Sequence, residues 1–93
     1  MTTPKKGWTV FCSESVCEVM ESMPTMRQFF VDFFCDFAAK AGTALDLGHS
    51  PPGTPQGGVG AYSLVVEHSG IFIEYEVKTD IKEFFIARML CRW

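Results

Sequence analysis

The sequence predicts an α+β domain: a short N-terminal strand, an αα-hairpin, then a three-stranded antiparallel meander, with both helices packed on one face of the sheet. Three observations lead there. An apolar ladder at helical spacing fills residues 26–41, period-two alternation takes over after residue 61, and a Gly/Pro-rich segment separates the two regimes. At 93 residues the chain is a single domain, 1–93, close to the lower limit for a self-sufficient core.

The opening run "WTVFC", residues 8–12, is β-rich, with Trp8, Val10 and Cys12 on one side. Ser13 or Ser15 then caps a short helix, Ser15-x-x-Glu18 having the form of a capping box. Its apolar residues Val16, Val19, Met20 and Met23 stop at Pro24, and two helices joined there make an αα-hairpin.

The stretch "FFVDFFCDFAAKAG", residues 29–42, holds five phenylalanines within nine positions. Its apolar positions are 26, 29, 30, 33, 34, 37, 38 and 41, an i, i+3, i+4, i+7 ladder. Gln28, Asp32, Asp36 and Lys40 gather on the other face. A membrane span needs about 20 apolar residues without such a stripe, so no membrane partner is expected. Thr25-x-x-Gln28 offers a capping box, and Gly42 is the expected residue just past the helix end. The phenylalanines therefore belong to a core.

Residues 46–60, "DLGHSPPGTPQGGVG", are eight-fifteenths Gly or Pro, a density that excludes helix and central strand and predicts a long loop. Its Gly57-Gly58-Val59-Gly60 end lacks the lysine and the strand–loop–helix setting of a phosphate cradle. Beyond it, Tyr62, Leu64 and Val66 alternate with Ser63, Val65 and Glu67. "EHSG" is a tight turn ending in Gly70. Ile71, Ile73, Tyr75 and Val77 then line one face, against Phe72, Glu74, Glu76 and Lys78. "KTD" turns the chain again into a last strand, residues 83–93.

Composition narrows the function classes. Net charge is −3, with Lys5 and Lys6 at one end and Arg88 and Arg92 at the other, which argues against a broad phosphate-binding face. Cys12, Cys17, Cys35 and Cys91 fit neither a dense disulfide framework nor a paired Cys-x-x-Cys metal site. No cofactor motif is visible. "MTTPKKGW" has no apolar run behind its lysines, so it reads as lacking a signal peptide, and the expectation is a cytoplasmic protein with reduced thiols.

The order of elements resembles the RelE/ParE superfamily of bacterial type II toxins. "WTVFCSESVCEVMESMP" is similar to the family's opening strand and first helix, and "FAAKAGTALDLG" to its second helix and terminating glycine. "YSLVVEHSGIFIEYEVKTDIKEFFIARMLCRW" is similar to its closing meander. The resemblance implies a cognate antitoxin as partner. It also implies one of two activities: ribosome-dependent cleavage of messenger RNA, an endoribonuclease reaction, or inhibition of DNA gyrase.

RNA cleavage of this kind needs a group to activate the 2′-hydroxyl, a cation for the phosphorane and an acid for the leaving oxygen. Arg92 matches the family's terminal-strand arginine by position, and Arg88 shares its face by strand alternation. Tyr75 falls near the family's tyrosine. His68, in the first meander turn, is a candidate general base, and His49, in the Gly/Pro loop, a candidate mobile acid. Set against these roles, Arg88 and Arg92 are equally suited to pair with Glu74 and Glu76, and Tyr75 alternates with the aliphatic core face. Cys91 reads as a strand residue rather than a nucleophile.

Two departures count against an RNase. The family's meander carries an arginine soon after its turn, where this chain has Phe72 and Ile73, and ribosome-directed members are basic, whereas pI here is ≈ 5.2. Both departures weigh less against a gyrase-directed toxin, or against the alternative of a catalytically silent protein-binding module on the same fold.

Overall fold

The computed structural model describes residues 7–58 and 60–92; Lys5, Lys6, Val59 and Trp93 lie outside the described residues. Strand β1 (Thr9–Cys12) leads into helix α1 (Glu14–Glu21), a single 3₁₀ turn (Pro24–Met26) and helix α2 (Arg27–Asp46). Strands β2 (Thr54–Pro55), β3 (Ala61–Val66), β4 (Ile71–Lys78) and β5 (Glu83–Cys91) follow. The protein is α+β, with two helices and a five-stranded mixed sheet of order β1-β5-β4-β3-β2.

This enlarges the expected three-stranded meander. β3, β4 and β5 form that meander, but a strand joins each of its edges. β1 lies parallel to β5, from Thr9 opposite Glu83 to Cys12 opposite Ile86. Its backbone polar groups would otherwise be left half-paired beside a hydrophobic layer. On the other edge the Gly/Pro segment is not a plain loop: Thr54 and Pro55 pair antiparallel with Ser63 and Tyr62 of β3. Proline is tolerated there because β2 is an edge strand. Gly53, at φ +108°, permits the approach, since a Cβ on it would stand 2.3 Å from the Ser63 carbonyl oxygen.

The helices cover one face of the sheet. Val16 of α1 and Phe30, Phe34, Phe37 and Ala41 of α2 are buried against Ile71, Ile73, Tyr75, Phe84, Ile86 and Met89. Phe37 meets the rings of Tyr75 and Phe84 edge-on at 4.8 and 5.1 Å. The polar face of α2 is tied up locally, Lys40 to Asp36 at 2.9 Å and Gln28 to Asp32 at 2.8 Å. Among the described residues no helix is long and apolar enough to cross a membrane.

Of three helix-end expectations, one is resolved between its two alternatives and two need correction. Ser13, not Ser15, caps α1: its Oγ accepts from the Val16 N–H at 3.3 Å. Thr25 does not cap α2, because Pro24 draws residues 24–26 into the 3₁₀ turn and Met26 takes the cap position without a side-chain bond. Gly42 does not end α2. It lies buried inside the helix, where a Cβ would stand 2.4 Å from Trp8 Cδ1. Trp8 lies across it, stacked on Phe84 at 4.7 Å, with its indole N–H donating to Asp46. The helix closes six residues later at Gly48, φ +78°, where Gly48 N–H bonds Leu45 O and His49 N–H bonds Ala44 O. That double closure is a Schellman motif.

One irregularity governs everything after it. Tyr75 pairs with Ile86 and Glu74 with Arg88, so Ala87 has no opposite number and forms a β-bulge. Ser13 anchors it. The Ser13 N–H donates to Ile86 O at 2.9 Å, and Ser13 Oγ donates to Ala87 O at 3.0 Å.

Candidate functional site

The helix-free face of the sheet carries the candidate cations. Strict alternation along β5 would put Ile86, Arg88, Leu90 and Arg92 on a single face. Ile86 is buried under the helices, so Arg88 would be driven into the core. The extra residue at Ala87 reverses the alternation: Phe84 and Ile86 point inward before it, Met89 after it. Arg88 and Leu90 are thereby turned outward, through a bulge the sequence reading did not foresee, and Arg92, just past the end of β5, is exposed.

Strand register arranges this outer face in rows. Val65, Phe72 and Leu90 stand opposite one another across β3, β4 and β5, with Val65 54% and Leu90 53% exposed. The next row is Ser63, Glu74 and Arg88, where Arg88 Nη1 lies 3.6 Å from Glu74 Oε1 in solvent-exposed surroundings. A third row sets Ala61, Glu76, Phe85 and the half-exposed Phe11 side by side. Arg92 lies beyond Leu90, its backbone N–H held by Gly70 O at 2.9 Å. Its guanidinium has no ion-pair partner among the described residues. Arg88 and Arg92 are four residues apart, about 13 Å along an extended chain, with the apolar row between them.

The remaining candidates are dispersed. His68 sits exposed in the β3–β4 turn, at the end of the sheet where Gly70 meets Arg92. His49 follows α2 at the other end, three residues after Asp46, which pairs with Lys82 at 3.4 Å. β4 alone, at eight residues, separates the two ends by about 27 Å. Tyr75 is on the inner face, 1% exposed, stacked on Tyr62 and donating its hydroxyl to Pro52 O. Burial, with Tyr62 beside it, pushes its ionisation well above the ordinary tyrosine range. Such a hydroxyl anchors the Gly/Pro segment to the core. Cys91 lies on β5 with its thiol also pushed upward by burial.

Chemically, then, the outer face offers one engaged arginine, one arginine with no ion-pair partner among the described residues, Glu74 and Glu76, and an apolar row. Neither histidine lies on a strand, and Tyr62 and Tyr75, though on β3 and β4, pack toward the helix-covered core. A separate groove of about 1070 Å³ opens between β1 and the helices, lined mainly by apolar side chains such as Trp8, Val10, Met20 and Phe34, and does not touch either arginine. Among the described residues no three His, Cys, Asp or Glu side chains are grouped to hold a metal ion. The element that sequence reasoning missed is the bulge; its trace is the slip from buried even positions 84 and 86 to buried odd position 89.

Comparison with protein-family models, curated proteins and solved structures finds no match to this chain.

Proposed function

We propose that the chain is a toxin of the RelE/ParE type directed at a protein target, and that the helix-free sheet face makes the contact. The observation that carries this reading is the row Val65–Phe72–Leu90, exposed at Val65 and Leu90 and half-buried at Phe72, with Arg88 and Arg92 near it. An apolar strip with cations beside it suits a target surface that is apolar with carboxylates around it. It suits a polyphosphate strand poorly, because Phe72 stands where the family resemblance calls for an arginine. A cognate antitoxin, also implied by the resemblance, would act by covering this face.

The test is induced expression in a bacterial host. The reading predicts growth arrest that is relieved by the product of an adjoining partner gene and lost in Arg92→Ala. Messenger RNA ends mapped after induction remain unchanged, while DNA supercoiling or another protein-dependent process fails. Cleavage within ribosome-bound messages would overturn the protein-directed reading.

A second reading has its own support. Arg88 is already paired with Glu74, and among the described residues no proton-transfer group other than glutamate and lysine accompanies it on this face. That is the composition of a catalytically silent binding module. Normal growth on induction, with a stable complex formed through the same face, would favour it.

A further inference from the structure

Ser13 is the N-cap of α1, which makes Cys12 the residue before the cap and Cys17 the fourth residue of the helix. Side chains at those two positions commonly pack on one another and fix the angle at which the chain enters a helix. Here both are cysteines. Cys17 Sγ donates to the Cys12 carbonyl oxygen at 3.9 Å, and both residues line the same groove between β1 and the helices. All four cysteines of the chain are free thiols.

We propose that Cys12 and Cys17 close into a reversible disulfide, converting the contact between β1 and α1 into a covalent link. A low-molecular-weight disulfide such as glutathione disulfide is the oxidant. The Cys17 thiolate attacks one of its sulfurs, forming a mixed disulfide and releasing one glutathione thiolate, which takes up the Cys17 proton. Cys12 then loses its proton and its sulfur attacks Cys17 Sγ, releasing a second glutathione thiolate that takes up that proton. Two electrons and two protons pass from the cysteine pair to the oxidant.

The order of attack follows from the surroundings of Cys12. Burial, with Cys17 beside it, pushes the Cys12 thiol up to about 11, so it is the weaker first nucleophile at neutral pH. The link encloses Ser13, the residue that holds Ile86 and Ala87, so oxidation acts on the joint between β1, α1 and the bulge. It also removes two thiols from the groove wall.

The experiment uses the full chain in glutathione buffers of graded ratio, native and in urea, quenched with acid and a thiol-alkylating reagent. Intact mass and a non-reduced peptide map are the readouts, with Cys35→Ser/Cys91→Ser as a background that isolates the pair. The expected product is lighter by two hydrogens, with one bridge joining residues 12 and 17. Cys12→Ser and Cys17→Ser each stop at a glutathione adduct. Half-conversion of the native protein falls at a ratio about tenfold more reducing than in urea. Bridges from Cys12 or Cys17 to Cys35, free thiols throughout, or equal native and urea midpoints overturn the proposal. The peptide map of the unsubstituted chain decides the matter even where a variant fails to fold.

Discussion

The two faces of the sheet are built from the same strands, yet they do opposite things with aromatic residues. On the inner face Tyr75 and Phe84 are at most 1% exposed and meet Phe37 edge-on, beneath α2. On the outer face Phe72 and Phe85 stand among Glu74, Glu76 and Arg88 with no helix above them. Burial of an aromatic ring on the inner face stabilises the fold, at about 25 cal/mol per Å² of apolar surface removed from water. The outer rings are half-buried and gain only part of that, so the area they leave open is a feature the fold does not require. The difference separates residues that make the protein stand from residues free to serve a partner.

Substitutions that sharpen this contrast have graded effects. Phe37→Ala is the most damaging, at about 3–5 kcal/mol, a large share of what a chain this size has. Phe72→Ala, at a half-buried position on the outer face, costs less, about 1–2 kcal/mol. Urea unfolding of the two variants measures the gap, and equal losses would break the distinction between faces. Gly42→Ala comes next. Its methyl would meet the Trp8 ring at 2.4 Å, and the resulting overpacking of about 1–3 kcal/mol outweighs the gain of about 1 kcal/mol in helix propensity. A stabilised Gly42→Ala variant would contradict the close approach of Trp8.

Ser13→Ala removes a cap and the anchor of the bulge together, at about 1–2 kcal/mol, with Ser13→Thr restoring most of the loss in thermal unfolding. The gentlest effect is alkaline. Cys12 holds its proton in the folded state up to about 11 against an ordinary 9.0, and Tyr75 is raised above 10.0. The unfolded chain gives up these protons first, so stability is full below pH 9 and declines as pH rises from 9 toward 11. Cys12→Ser flattens the lower part of that decline in pH-dependent urea titrations; an unchanged slope would place the thiol in water.

Much of this architecture is legible in the sequence because it is periodic. The ladder from Met26 to Ala41 and the alternation of Ile71, Ile73 and Tyr75 each report a buried face directly. What escapes is whatever depends on distant partners. Gly42 looks like a helix end until Trp8, thirty-four residues earlier, is seen lying on it. Thr54 and Pro55 look like loop until β3 supplies them with an edge. That Arg88 and Arg92 stand an even number of residues apart is plain in the sequence, but the side of the sheet that Arg88 takes depends on Ala87, whose bulge is anchored by a serine seventy-four residues away. The apolar row between the arginines is likewise a product of register across three strands, which no single stretch of sequence displays.

Growth of a bacterial host on induction of Phe72→Glu beside the unsubstituted chain tests most directly whether the open face is the working surface. The substitution plants a carboxylate in the apolar row while leaving the inner core untouched. The account predicts arrest by the unsubstituted chain and normal growth with Phe72→Glu, at matched expression and matched thermal midpoints. Arrest of equal depth by both chains would contradict it, as would no arrest by either.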